Sequence, residues 1–272
     1  MPSPKLPVFF ISHGGGPWPW ITEQLNGPYA KLARSLREMP AQIGPSLKAI
    51  LMISAHWEEP EFTLMTNARP PMLYDYGGFP AHTYQVKYSA PGAPAVAERV
   101  RELLESAGIH AELDAERGFD HGTFSPLAVA FPAADVPVFQ LSLKQGLDPE
   151  QHLALGRALA PLREDGIAII ASGLSYHNLR AFGAAGSVSS KAFDAWLQER
   201  VVGAGAADRA EALRNWRSAP AARQAHPREE HLLPLMVAAG AAGEDIARSV
   251  YHEDDFVGSL AVSSFQFGAT PA

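Results

Sequence analysis

Ten histidines and no cysteine occur in the 272 residues. Imidazole both binds divalent metals and moves protons near neutral pH, so the placement of these side chains is the first chemical clue. His13 stands in Ser12-His13-Gly14-Gly15-Gly16-Pro17 and His56 in Ser54-Ala55-His56-Trp57. His177 stands in Ser172-Gly173-Leu174-Ser175-Tyr176-His177-Asn178-Leu179. All three follow short apolar runs. His121 lies in Gly118-Phe119-Asp120-His121-Gly122, a polar turn ahead of another apolar run. His231 closes His226-Pro227-Arg228-Glu229-Glu230-His231, where a helix is expected to begin. His82, His110, His152, His226 and His252 have no such setting and read as solvated or locally bonded residues.

The absence of cysteine rules out disulfides, thiolate nucleophiles and iron–sulfur sites. A bound metal must therefore use His, Asp, Glu or backbone oxygen. One histidine at a strand end is more often a hydrogen-bonded structural residue than a ligand. Several of them at successive strand ends point to a metal site. The Gly14–Gly16 backbone amides could also meet an anionic oxygen, but the spacing of a phosphate-binding fingerprint is missing.

The elements that must position these residues follow from the apolar pattern. Residues 6–12, 47–54, 61–66, 136–143 and 167–172 read as strands, and 250–267 as a hairpin whose second half, 259–265, is the stronger. Residues 93–107, 150–164, 190–202 and 226–239 read as helices. The last would have Pro227 at its first position, Glu229 and Glu230 at its positive end and Gly240 as its stop. Strands alternating with helices predict an α/β fold, a three-layer α/β/α sandwich with a mostly parallel but mixed central sheet. In such a sheet ligands bind at the carboxyl ends of the strands. The strand-end histidines meet there if their strands are neighbours.

Bulk properties narrow the function classes. A hydrophobic content of 47%, 19% charged residues and a net charge of -7 fit an ordinary globular protein with no electrostatic reason to bind nucleic acid or an anionic membrane. The apolar run at residues 6–11 is too short for a secretory or membrane-spanning segment. The reading is a single catalytic domain over residues 1–272 in the cytoplasm.

The motifs, taken together, resemble the LigB-type class III extradiol ring-cleavage dioxygenases, in the branch of the DOPA 4,5-dioxygenases. The stretches concerned are 12–17 (SHGGGP), 54–57 (SAHW), 74–80 (YDYGGFP), 88–94 (YSAPGAP), 118–122 (GFDHG), 172–179 (SGLSYHNL) and 230–235 (EHLLPL), in family order along nearly the whole chain. The resemblance implies that His13, His56 and His231 ligate the metal. Glu230 is the alternative to His231, and His177 is able to approach the metal when no substrate is present. It implies His177 as the acid/base residue and His121 in the same pocket, with Asp120 orienting that region. It implies Fe(II), with Zn(II) also suited to three histidines, and a small-molecule catechol and O2 as reactants. Two rivals use the same residues. One is a zinc hydrolase with Glu229 or Glu230 as base, and the other a non-catalytic metal-binding protein of the same fold. Tyr74, Tyr76, Trp57 and Trp18 are candidates for the pocket wall, and Arg180 and Arg69 for a substrate carboxylate. The sequence leaves the substrate open between DOPA, a related catechol acid and another aromatic diol.

Overall fold

The structure is a computed structural model that describes residues 5–269. Its eight strands are β1 (Val8–Ser12), β2 (Ala49–Glu59), β3 (Phe62–Met65), β4 (Ala111–Asp114), β5 (Val138–Lys144), β6 (Ile167–Gly173), β7 (Ala247–Phe256) and β8 (Leu260–Phe267). They form one sheet in the order β4-β3-β5-β2-β6-β1-β8-β7. The central strands β5, β2, β6 and β1 are mutually parallel. Antiparallel pairs join β3 to β5, β1 to β8 and β8 to β7, so the sheet is mixed as expected. Every residue of β1 and β6 is buried, which is what strands covered on both faces require.

β6 is the axis of the site. It pairs with β1 from Val8↔Ile169 to Ser12↔Gly173 and with β2 from Ala49↔Ile167 to Ser54↔Ser172. The three strands whose ends carry His13, His56 and His177 are therefore neighbours. β2 runs longer than the pattern at 47–54 suggests. His56 lies inside it, in the stretch where pairing with β5 breaks register between Ile53 and Glu58.

Helices begin where caps allow. Asp148 accepts a hydrogen bond from the Gln151 amide at 2.9 Å and precedes Pro149, opening helix Pro149–Leu159. Asp120 does the same for helix His121–Ala130, accepting from the Thr123 amide. That helix is buried along nearly its whole length and carries no polar stripe, so the helical period is invisible in its sequence. Helix Ala30–Ile43 and strand β4 also went unmarked by the apolar pattern.

One expected helix is displaced. Residues 226–232 form a turn, and the helix runs Leu233–Ala242. Pro234 sits in its first turn, and Gly243 at φ +56 ends it. Gly240 is not the stop. A Cβ there would lie 2.2 Å from the Leu153 carbonyl oxygen, and one on Gly156 2.1 Å from the Val237 carbonyl oxygen. The two glycines let helices Pro149–Leu159 and Leu233–Ala242 touch backbone to backbone.

No helix among the described residues is long and apolar enough to cross a membrane. Gly240→Val should lower unfolding free energy by about 1–3 kcal/mol through overpacking of that contact. Thermal unfolding checks this, and an unchanged Tm contradicts the backbone contact.

Candidate metal centre

Three backbone features bring the imidazoles together. The His13 amide donates to the Gly173 carbonyl at 3.0 Å, which extends the β1–β6 ladder by one residue. The His13 carbonyl accepts from Trp18 Nε1 at 2.8 Å. The His231 carbonyl accepts from the Leu174 amide at 3.1 Å, and Gly173 must lack a side chain because its Cβ would meet that carbonyl oxygen at 2.1 Å. His56 is set by Ser54, whose hydroxyl accepts from the His56 amide and donates to Asp120 Oδ1 at 2.6 Å.

The result is a convergence of nitrogens. His56 Nε2 lies 3.3 Å from His13 Nε2 and 3.3 Å from His231 Nε2. Two nitrogens each about 2.1 Å from one ion sit at about this separation. His13, His56 and His121 also place one nitrogen each within 4.8 Å of one another, and so do the ligand atoms of His177, Glu230 and His231. All five histidines assigned to the site line one cavity of about 340 Å³.

Electrostatics favour neutral imidazoles with free lone pairs. Burial, reinforced by the neighbouring His56 and His231, drives the His13 pKa well below its usual value. Burial, with His177 and His56 beside it, does the same to His231. His56 is pushed down to about 4, mainly by burial and then by His121. Neutral imidazole is the ligating form, so the donor set suits a divalent metal.

Two carboxylates stand behind the cluster, and each ties two rings. Glu230 Oε1 accepts from His231 Nδ1 at 2.9 Å and from His177 Nδ1 at 3.1 Å. Asp75 Oδ1 accepts from His121 Nδ1 and from the His121 amide, both at 2.9 Å, and Oδ2 lies 3.4 Å from His56 Nδ1. Burial alone would raise both carboxyl pKa values, but the hydrogen bonds from His177 to Glu230 and from His121 to Asp75 lower them below the usual range. Both stay ionised and hold their partners as Nδ1–H tautomers. Glu230 thus meets the Nδ1 side of His231, away from the converging Nε2 atoms, and orients that ring. His177 stacks on His231 with ring centroids 3.4 Å apart.

Several expectations need correction. His231 sits in the turn before its helix, not in the helix's first turn, and His56 sits within its strand. Trp18, Trp57, Tyr74 and Tyr76 do not line the cavity. Its aromatic walls are Tyr29, Phe79, Phe182 and Phe256. Trp18 backs the wall by stacking on Tyr29 at 4.9 Å, and Tyr76 by packing on Phe79 at 5.4 Å. Arg69 lines a separate cavity of about 500 Å³ that contains none of the five histidines. Asp120 does orient its region. It is fully buried and also accepts from Gln140 Nε2 at 2.8 Å and Arg117 Nη2 at 2.9 Å. Asp75, inside the YDYGGFP stretch, also contacts His56 and His121, and its residue type and spacing do not single it out. Nothing in the sequence says that this loop folds back onto His56 and His121.

Known proteins resemble this chain over nearly its whole length. The family described as the catalytic LigB subunit of aromatic ring-opening dioxygenase matches residues 6–265. The chain is 38% identical over 267 residues to a 4,5-DOPA dioxygenase extradiol of Beta vulgaris, covering 97% of each chain. It is 34% identical over 274 residues to the protein of that name from Escherichia coli (strain K12), covering 98% of this chain and 97% of the other. The crystal structure of an uncharacterized protein from Escherichia coli K12 superimposes with a TM-score of 0.77 at 31% identity, covering 97% of this chain and 100% of that one.

Two outcomes follow from the cluster. His13→Ala and His56→Ala should each lose bound metal on dialysis, and parental metal content by elemental analysis contradicts the ligand set. The second concerns pH. Burial suppresses protonation of His13, His56, His152, His226 and His231 in the fold, whereas their ordinary value is 6.5. Below that value the unfolded chain binds more protons, so stability of the metal-free protein should fall as pH drops from about 6.5 toward 4. A Tm that holds constant between pH 7 and pH 5 contradicts it.

Proposed function

This chain belongs to the LigB family of aromatic ring-opening dioxygenases, and from that premise we propose that His13, His56 and His231 hold one Fe(II) through their Nε2 atoms for extradiol cleavage of a catechol. The enzyme is an extradiol ring-cleaving dioxygenase that acts with a non-haem metal on a small aromatic substrate and O2. The observation that carries the residue assignment is the 3.3 Å approach of His56 Nε2 to both His13 Nε2 and His231 Nε2, with His177 stacked alongside. Zn(II) satisfies the same donors but is redox-inert, so it would fill the site without supporting turnover.

When bound, the metal supplies a common meeting point for catechol and O2 and a path for electron density between them. The proton chemistry belongs to the chain. His177 donates Nδ1–H to Glu230, which leaves the Nε2 lone pair to take the catechol hydroxyl proton and to return it as the ring opens. His121, held by Asp75 in the same tautomer, offers Nε2 to hydrogen-bond a reacting oxygen. The Tyr29 hydroxyl takes a hydrogen bond from the Gly15 backbone, and burial raises its pKa to about 12. It therefore stays protonated and can donate to a substrate oxygen. Phe79, Phe182 and Phe256 give the cavity an apolar wall.

The carboxylates that the hydrolase reading would use as base are both engaged. Glu229 is clamped by Arg217 and by Arg223 Nη1 at 2.7 Å and does not line the cavity. Glu230 is already shared between two histidines.

Protein reconstituted anaerobically with Fe(II) should consume O2 with catechols and give a yellow ring-opened product. His177→Ala should keep the metal and lose about 10²–10⁴-fold in rate. Near-parental ring cleavage by that variant removes the assigned proton role.

A further inference from the structure

The loop after β1 meets the cavity with backbone alone. A Cβ on Gly14 would lie 2.3 Å from Trp18 Nε1, one on Gly15 2.8 Å from Tyr29 Oη, and one on Gly16 2.8 Å from the Phe79 ring. All three glycines line the cavity that holds the histidine cluster, so peptide groups form this part of its wall. The loop is pinned at both ends. The His13 carbonyl accepts from Trp18 Nε1 at 2.8 Å, and the Gly16 carbonyl accepts from Ser125 Oγ at 2.8 Å.

These peptides carry donors that the fold leaves unused. Gly14 and Gly16 are buried, yet their amides have no hydrogen-bond partner among the described residues. Buried amides are nearly always paired, because leaving one unpaired is costly. In a trans peptide the N–H points opposite to the C=O. The bond from Trp18 to the His13 carbonyl therefore turns the Gly14 N–H away from the indole, which lies behind the wall. Positive φ at Gly14 (+80) and Gly16 (+55), on either side of Gly15, is the kind of alternation that gathers successive amides around an anion. The Gly15 amide is spent on the Tyr29 hydroxyl, whose own proton has no acceptor among the described residues. Tyr29 lines the same cavity and is held by its stack on Trp18. No lysine or arginine lines the cavity among the described residues, so an anionic group entering it depends on these neutral donors.

We propose that the Gly14 and Gly16 amides and the Tyr29 hydroxyl form an anion niche that takes the side-chain carboxylate of the catechol, while the histidine cluster takes the diol. This rests on the ring-cleavage reading above. A carboxylate accepts several hydrogen bonds and offers none, which matches a niche made of donors, and such charge-assisted bonds are the stronger kind. A reacting oxygen of the diol is the competing occupant.

The test compares 3-(3,4-dihydroxyphenyl)propanoic acid with 4-propylcatechol, which differ by a carboxylate against a methyl group. Anaerobic calorimetry on Zn(II)-loaded protein measures recognition without turnover. The acid should bind at least about tenfold more tightly. In protein made with isotope-labelled glycine, the Gly14 and Gly16 amide proton resonances should move downfield with the acid and not with the propyl compound. Tyr29→Phe keeps the ring and its stack on Trp18, so Tm and Zn(II) content should stay parental while the acid's advantage narrows by about three- to tenfold. Equal or weaker binding of the acid, an unchanged ratio in Tyr29→Phe, or the same amide shifts with both compounds overturns the niche, the last by placing a diol oxygen there instead. Absence of O2 uptake by Fe(II)-loaded protein with either catechol, while the preference for the acid and the amide shifts persist, overturns the ring-cleavage reading and leaves the niche standing.

Discussion

The site depends on the register of β6. Its last residues pair simultaneously with Ser12 of β1 and Ser54 of β2, so the ends of β1 and β6 and the Ser54–His56 stretch of β2 lie at one level of the sheet. One further residue places His13, two further residues place His56, and the loop beyond Gly173 carries His177. A shift of one residue in either pairing would turn alternate side chains to the opposite face and separate the nitrogens. The buried apolar residues of β1 and β6 hold that register far more firmly than any contact between the histidines themselves.

Charge is distributed with similar economy. The converging imidazoles are kept neutral by burial, so their mutual repulsion is removed and their lone pairs are free. Asp75 and Glu230 then bring two negative charges to the outer, Nδ1 side of the cluster, matching one divalent ion. Each carboxylate joins two rings of the cluster: Asp75 joins His56 with His121, and Glu230 joins His231 with His177. The positions of the paired rings are thereby coupled. His13 is the exception. Its Nδ1 has no hydrogen-bond partner among the described residues, and the backbone bond to Gly173 and the packing around it hold the ring.

The sequence carried the fold class and the identity of the histidines well, because buried parallel strands are short apolar runs and because residue type limits metal chemistry. It carried the neighbours of those histidines poorly. Asp75 reaches the site through a loop with no periodic signal. The turn at 226–232 looked like a helix start because Pro227, Glu229 and Glu230 suit one. Instead Glu229 is drawn out by Arg217 and Arg223, side chains supplied by tertiary structure. The walls were misassigned for the same reason. Trp18 follows one motif and Tyr76 lies inside another, yet both sit one layer behind the cavity, while Phe182 and Phe256 come from segments that no motif singles out.

The position of β1 has a consequence for how the molecule is made. The chain's first strand has no partner among the strands that immediately follow it; it lies between β6 and β8, and the Ser12 amide donates to the Ser264 hydroxyl 252 residues later. During synthesis His13 therefore emerges long before the groups that will surround it. Pairings of such sequence separation must overcome loop-closure entropy before they are rewarded. A nascent chain offers at most isolated imidazoles in water, which bind metal weakly. The converging nitrogens exist only once β6 and the turn at 226–232 have been made and β1 has paired with β6, so the metal site is completed by the C-terminal half of the chain.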